Sequence, residues 1–381
     1  MTTTMVKKEI SIKDALGFAN ALSKAMPAVA KNTTVPILTG IHVEADAECI
    51  TITGSDDKTL IRVVEKGLGM AIEPVAFVVP GRMFSDIVKR LPKGEFTIHL
   101  SDTDIILKAN KSSFELKTMP VEDYPLRGST PFDISLEIEP MKLAKGFGTG
   151  FAASTDNLRP TLHAVHLSGE GNTLSFVATD AHRLSKVDVT LEEEFDPFKN
   201  ILVPAQSTKE IISLLKEEKE KVTIQFNERE FRLITEKVTF STRLIEGTYP
   251  DLNRIIPQDF KTTFDVNREE IVGALERVNI VAQESNMKCC RFQLAIEGIP
   301  SLLISATGTE VGKAKEQVFL GDMQGESFKF AISTKYLLDC FKQLSCKDVV
   351  VYGNSSVTPF VFRPKGDECV LDLILPVRLI D

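Results

Sequence analysis

The sequence predicts an α+β protein of three repeated domains, each with two helices packed against two antiparallel sheets, and two recurrences carry that reading. The first is a segment found three times: Val79-Pro-Gly-Arg-Met-Phe-Ser-Asp86-Ile-Val88, Val203-Pro-Ala-Gln-Ser-Thr-Lys-Glu210-Ile-Ile212 and Ile332-Ser-Thr-Lys-Tyr-Leu-Leu-Asp339-Cys-Phe341. Each joins a strand end to an amphipathic helix with an acid at the same place, and the steps between the acids are domain-sized. The second recurrence lies downstream of each helix. Runs such as Phe96-Thr-Ile-His-Leu100, Ile105-Ile-Leu-Lys108 and Phe114-Glu-Leu-Lys117 recur as Val222–Phe226, Phe231–Ile234 and Val238–Thr242, then as Val349–Tyr352, Phe360–Arg363 and Val370–Ile374. Short β-branched and aromatic runs between charged or Asn/Gly turns form three-stranded meanders.

The front half of each third repeats less cleanly. Helical patterns over roughly 12–25, 140–152 and 267–282 precede Val35-Pro-Ile-Leu38, Arg159-Pro-Thr-Leu162 and Lys288-Cys-Cys-Arg291. Strand pairs then reach Thr53-Gly-Ser-Asp56, Ala178-Thr-Asp180 and Ala306-Thr-Gly308. Each third is thus two half-units, a sheet with one face to cover and a helix to cover it. Pro-containing, turn-rich stretches near 130 and 259 divide the chain into 1–130, 131–259 and 260–381. Three such domains in a row leave an unpaired sheet edge at each end, and head-to-tail pairing that closes gives a ring.

Bulk chemistry narrows the function classes. No stretch approaches a membrane span, and the N-terminus lacks the apolar core of a signal peptide, so a cytosolic protein with no membrane partner is expected. Six cysteines are scattered without metal-ligand spacing, which predicts free thiols packed as small apolar groups and no metal. The net charge of −8 does not report how charge is distributed. Basic residues recur on the predicted helices: Lys13, Lys24, Arg82, Lys89, Lys142, Lys145 and Lys209. On helices lying side by side they would suit sequence-independent phosphate contact, and they equally suit ordinary solvated helix faces. No helix-turn-helix, zinc finger or aromatic platform for base reading is present.

An enzyme reading would rest on Asp180 and His182 with a serine such as Ser154, or on a cysteine with a histidine. The sequence has no nucleophile elbow, HExxH or P-loop. His182 is better taken as a structural or pocket-wall residue and Asp180 as the brace of a turn, so no catalysis and no cofactor are expected.

Ala178-Thr-Asp-Ala-His-Arg-Leu184 resembles the Thr-Asp-Gly/Ser-His-Arg-Leu signature of the bacterial DNA polymerase sliding clamp (beta subunit) family. Further segments agree in order: Thr34-Val-Pro-Ile-Leu38, Glu122-Asp-Tyr-Pro125, Ser154-Thr-Asp-Asn-Leu-Arg-Pro160, Arg243-Leu-Ile-Glu-Gly-Thr-Tyr-Pro-Asp251, Arg254-Ile-Ile-Pro257 and Leu373-Ile-Leu-Pro-Val-Arg378. The resemblance implies domains of the DNA clamp type in a head-to-tail homodimer. Its six domains would surround a hole lined by helices, through which duplex DNA passes without sequence readout. It also implies a clamp loader that opens the ring with ATP. DNA polymerases, the loader and repair factors would insert a short peptide into a pocket between the second and third domains.

Carried onto this sequence, the deep part of that pocket would be Leu162, Thr179, Ala181, His182, Arg183, Leu184, Pro250, Ile255, Leu373 and Leu375. The shallow part would be Arg159, Ser333, Tyr336, Val357, Pro359, Pro376, Val377 and Arg378. Phe114 and Leu116 of one chain would meet Ile280 and Val281 of the other, although Phe114 and Leu116 also alternate as plain core residues do. Three positions depart from the family. Ala181 replaces Gly or Ser, Pro160 replaces an aromatic, and Asn32 stands where some members have a DNA-touching arginine, with Lys31 as its substitute. Two other readings stay open on sequence: an accessory clamp paralogue with altered partners, and a repeat scaffold that meets no DNA.

Overall fold

A computed structural model describes residues 8–126, 131–156, 158–285, 288–308 and 312–378. The expected boundary near 130, Asn157 of the Ser154–Pro160 segment and the terminal Leu379-Ile-Asp381 lie outside the described residues. Six α-helices are present among them: α1 (Ala15–Ala25), α2 (Gly81–Val88), α3 (Pro140–Phe147), α4 (Thr208–Leu215), α5 (Arg268–Ala282) and α6 (Thr334–Gln343). Polar caps fix two of the starts. The Asp14 side chain accepts from Leu16 N–H at 3.0 Å, and Asn267 accepts from the N–H groups of Glu269 and Glu270, each at 3.1 Å. The helix expected over 140–152 is α-helical only to Phe147 and continues as 3-10 helix over Gly148–Ala152. Gly146, Gly148 and Gly150 weaken the last turns.

The chain forms two compact units, Met1–Met141 with Lys209–Leu244, and Lys142–Thr208 with Ile245–Asp381. In the first unit an eight-stranded antiparallel sheet begins with Ile134–Ile138 and the meander Val222–Phe226, Glu230–Ile234 and Val238–Arg243. It continues through Thr59–Lys66, Cys49–Ser55, Gly40–Ala45 and Val75–Pro80. A second sheet of five strands ends at Ser112–Lys117. The rings of Phe18 on α1, Phe84 on α2 and Phe96 on the five-stranded sheet meet edge-on, with Phe18 at 6.0 and 5.5 Å from the other two. Where α1 ends, only glycine fits on the strand beneath it: a Cβ at Gly54 would stand 2.3 Å from the Ala25 carbonyl oxygen.

The second unit holds a twelve-stranded sheet. Its order is Phe198–Pro204, Ala164–Glu170, Thr173–Thr179 and Arg183–Thr190, then Val370–Ile374, Phe360–Pro364, Asp348–Gly353 and Thr262–Asn267. The last four strands are Gly312–Gln324, Ser301–Gly308, Cys289–Ala295 and Lys329–Ser333. Helices α5 and α6 pack against each other, and α5 covers Ser301–Gly308 and Gly312–Gln324. The cysteines are free thiols, with Cys289, Cys290 and Cys340 buried and Cys369 exposed.

The internal repeat reaches single hydrogen bonds. In each third, the segment after the meander crosses to an edge strand: Met119 N–H donates to Val78 O (2.8 Å), Ile245 to Leu202 (2.9 Å) and Val377 to Ala331 (2.8 Å). Beyond the first two crossings a tyrosine stacks on a histidine, Tyr124 on His42 at 5.3 Å and Tyr249 on His166 at 4.9 Å. Phe18 is fully buried at the three-ring junction. Phe18→Ala is therefore expected to lower the unfolding free energy by about 3–5 kcal/mol in urea titration.

Candidate functional site

The segment Ala178–Leu184 turns the strand Thr173–Thr179 into Arg183–Thr190, and polar side chains hold the turn. Asp180 Oδ1 accepts from the N–H groups of His182 (2.9 Å) and Arg183 (3.0 Å), and the Thr179 hydroxyl donates to the Arg183 carbonyl at 2.6 Å. Ala181 sits in the left-handed region with φ 74°, where a Cβ is strained. That geometry explains glycine at this place in the related signature.

Pairing with Arg183–Thr190 brings the last strand to the turn. Leu373 lies opposite Leu184, and Leu375 N–H donates to the His182 carbonyl at 2.8 Å. Two residues on, the Val377–Ala331 hydrogen bond sets the chain end beside the strand that carries Ser333. Leu162, Leu184 and Leu373 are buried, and Val177 and Leu252 pack against both Leu162 and the Leu184–Leu373 pair. Beside this floor Ile255 (46% exposed), bonded back to Leu252, and Leu375 (37%), bonded to His182, offer aliphatic side chains to solvent, and Val357 is 64% exposed on the turn that precedes Phe360–Pro364. Pro250, His182, Arg159 and Arg378 are exposed as well, with Pro359, Pro376 and Val377 half-buried.

Arg183, expected among the pocket residues, stands behind the surface. It is 8% exposed; its Nε donates to Asp180 at 3.0 Å and its Nη1 to Asp339 of α6 at 2.7 Å. The guanidinium also lies 4.5 Å from the centroid of the Tyr336 ring. It therefore braces the turn against α6. Next to it Asp372, opposite Ser185, is buried, with Cys340 Sγ at 3.3 Å from its Oδ2. Burial pushes its carboxyl up to about 6, and hydrogen bonding from Ser185 and Cys340 and the charge of Arg183 only partly oppose this.

The apolar patch opens into a groove of about 810 Å³ lined by Val177, Leu184, Tyr249, Pro250, Leu252 and Ile256, and continuing over polar His166, Ser175, Lys186 and Asp188. Asn200 holds its wall, donating to Gly247 O at 2.7 Å and accepting from Tyr249 N–H at 2.9 Å. Burial lowers the His166 pKa, so the ring stacked on Tyr249 is neutral at pH 7. Sequence reasoning missed Val177, Tyr249, Leu252, Ile256 and Asp339 as site residues. Asp339 had a signal, being the recurrent acid of the third helix.

The basic positions fare unevenly. Lys24 pairs with Glu217 at 2.7 Å, Lys145 with Asp367 at 2.6 Å, and Lys142 donates to Thr190 O at 3.2 Å. Lys13, Lys31, Arg82, Lys89 and Lys209 are exposed. Phe114 is exposed at a sheet edge beside Met83 and Ile87, whereas Leu116 on the same strand is buried; Ile280 on α5 is 72% exposed and Val281 half-buried. No group of three or more His, Cys, Asp or Glu among the described residues could hold a metal ion.

Two measurements test this geometry. Ala181→Gly is expected to raise unfolding free energy by about 1 kcal/mol, since glycine takes φ 74° without strain. For Asp372 the folded carboxyl holds its proton more tightly than the unfolded one, so its burial costs nothing below pH 4 and the full penalty above pH 6. Asp372→Asn should gain about 2–3 kcal/mol relative to the parent between pH 4 and pH 8 in paired urea titrations. A gain independent of pH would contradict this.

Comparison with known proteins agrees along the whole chain. Residues 9–127, 140–251 and 253–378 match the N-terminal, central and C-terminal domain models of the DNA polymerase III beta subunit. A Staphylococcus epidermidis beta sliding clamp is 30% identical over 370 residues, covering 95% of this chain and 97% of that protein. The Bacillus subtilis DNA polymerase sliding clamp superposes with a TM-score of 0.91 at 30% identity, covering 98% of this chain and 100% of that one. The Pseudomonas aeruginosa DnaN sliding clamp bound to griselimycin gives 0.90 at 25% identity, covering 98% and 100%. With three clamp-type domains and this full-length similarity, the chain belongs to the bacterial beta sliding clamp family, the beta subunit of DNA polymerase III.

Proposed function

We propose that the protein is a non-catalytic processivity factor of the bacterial cytoplasm, with three domains bounded near 130 and 259. It closes as a head-to-tail homodimer around duplex DNA and tethers DNA polymerases, the clamp loader and repair factors through the patch around Leu184, Leu373, Ile255 and Val357. Family membership carries the reading. The griselimycin-bound relative shows that a clamp of this fold takes a ligand. Linking a polymerase to encircled DNA raises its effective concentration at the primer end without new contacts. No helix among the described residues is long and apolar enough to cross a membrane.

The pairing of repeats supports the dimer. Val238–Arg243 pairs with Thr59–Lys66, and Val370–Ile374 with Arg183–Thr190. The matching strands left over are Ser112–Lys117, a sheet edge, and Gly312–Gln324, whose residues 312–319 have one neighbour in this chain among the described residues. Equivalent positions fix a register. Ile61, Ser185 and Ala314 lie opposite the recurring Gly54, Ala178 and Ala306, while Phe240, Asp372 and Phe114 lie opposite Leu233, Phe362 and Leu107. Since Phe240 faces Ile61 and Asp372 faces Ser185, Phe114 of one copy would face Ala314 of the next, and Glu115 would face Lys313. Opposite charges there favour the pairing.

Three outcomes are expected. The protein should stay on closed circular DNA through gel filtration and leave when the circle is cut; equal loss from both would sink the clamp reading. A labelled peptide of the Gln-Leu-x-Leu-Phe type should bind at roughly micromolar Kd by fluorescence anisotropy. Ile255→Asp with Val357→Asp should abolish that binding in a protein that still folds, because both side chains are exposed. Glu115→Cys with Lys313→Cys should give a covalently closed dimer on oxidation, seen as a band shift that reductant reverses; a chain that stays monomeric under these conditions argues against the register.

A further inference from the structure

The outer face of the last four strands in the C-terminal third carries a charge pattern that extends inward from the Gly312–Phe319 edge proposed for the dimer. Cross-strand registers put Lys329, Gln293, Leu303 and Gln317 in one row, Arg291, Ser305 and Lys315 in the next, and Ser301 with Phe319 on the far side. The opposite face is the one packed under α5, with Phe292, Leu294, Leu302, Ile304 and Val318 buried. On the outer face Leu303 is 38% and Phe319 56% exposed; of the strands' acids, Glu316 is held by Arg277 of α5, and Asp322, past the register shift, is paired with Lys365. Arg291, Lys315 and Lys329 are exposed and form no ion pair among the described residues. A chain of net charge −8 thus has a locally cationic sheet face holding two bare apolar side chains.

This face is continuous with the patch assigned above to partner peptides. Ser333 of that patch is on the same strand and same side as Lys329, four residues along, a span of about 13 Å. Val377 N–H bonds to Ala331 between them. We propose that this face is a second docking surface for an acidic, apolar-containing polypeptide segment that flanks a partner's pocket-anchored peptide. The proposal rests on the peptide-site reading for its continuity. Charge complementarity selects an acidic occupant, Leu303 and Phe319 accept its apolar side chain, and the anchor supplies a high local concentration. A single exposed aromatic on the face makes no platform for successive stacked bases, which disfavours single-stranded DNA.

The test uses the full-length protein and a Lys315→Glu, Lys329→Glu variant, checked for fold by circular dichroism. Probes are labelled Gln-Leu-Asp-Leu-Phe, the same peptide with a tail of about eight Asp, Glu and Leu residues at either end (enough to span the face when extended), the tail alone, and oligothymidine. In one orientation the tailed peptide should bind about tenfold tighter than the bare anchor at low salt. The gain should shrink with salt and vanish in the variant, with anchor affinity unchanged. Equal affinities in both orientations, or a gain kept by the variant, overturn the proposal. Should the anchor itself not bind, the pocket reading fails separately. The tail alone then decides: saturable binding lost in the variant upholds the face, and absence of binding overturns it. Oligothymidine binding that the variant loses and the tail does not compete assigns the face to nucleic acid, and dissociation of the variant into monomers assigns it to a second copy. Either result overturns the proposal.

Discussion

A strand at the end of a sheet carries a row of backbone N–H and C=O groups that must find partners or face water. Here two such rows are satisfied by joining one repeat to another, Val238–Arg243 on Thr59–Lys66 and Val370–Ile374 on Arg183–Thr190. The second join assembles the apolar patch proposed for partner peptides. It draws the chain's last strand against the Ala178–Leu184 turn, delivers Leu375 and Val377 to their hydrogen bonds, and sets Leu373 over Leu184. The same pattern, continued, leaves one row open at Ser112–Lys117 and another at Gly312–Phe319.

The site shows a division between side chains that meet solvent and side chains that hold the turn. Ile255, Val357 and Leu375 are apolar and exposed, an arrangement that favours an apolar ligand. Behind them Arg183 is held by two carboxylates and an aromatic ring, a geometry in which removing one partner leaves a buried charge uncompensated. Asp372 is the opposite case: a buried carboxyl with few partners, costing stability at neutral pH. Both lie at the join between repeats.

Charge is partitioned in a way that composition hides. Lys24 and Lys145 are engaged in ion pairs, whereas Lys209 on α4 is exposed, as are Lys13 and Lys31, which the structure places just before α1 and in the loop after it rather than on a helix. Three further cations sit on the outer sheet face of the C-terminal third. Long-range fields depend on this placement and not on the net value.

The sequence by itself determined the repeat, the helix–meander order and the family. Periodicity and turn chemistry are local, and the Ala178–Leu184 turn is built almost wholly from its own side chains. The clustering of Leu162, Thr179 and Leu373 at one place was reachable only through the family resemblance, because residues so far apart in sequence leave no periodic trace. Tertiary structure alone decided which of those residues face solvent. Arg183 and Ile255 look equally available in sequence, yet one is clamped by Asp339, from a helix far along the chain, and the other is bare. It also decided which lysines are free, since the partners of Lys24 and Lys145 are brought by folding from elsewhere in the chain. Likewise the cationic face of Arg291, Lys315 and Lys329 is a product of strand register, which fixes the side a residue points to and is set only when strands pair.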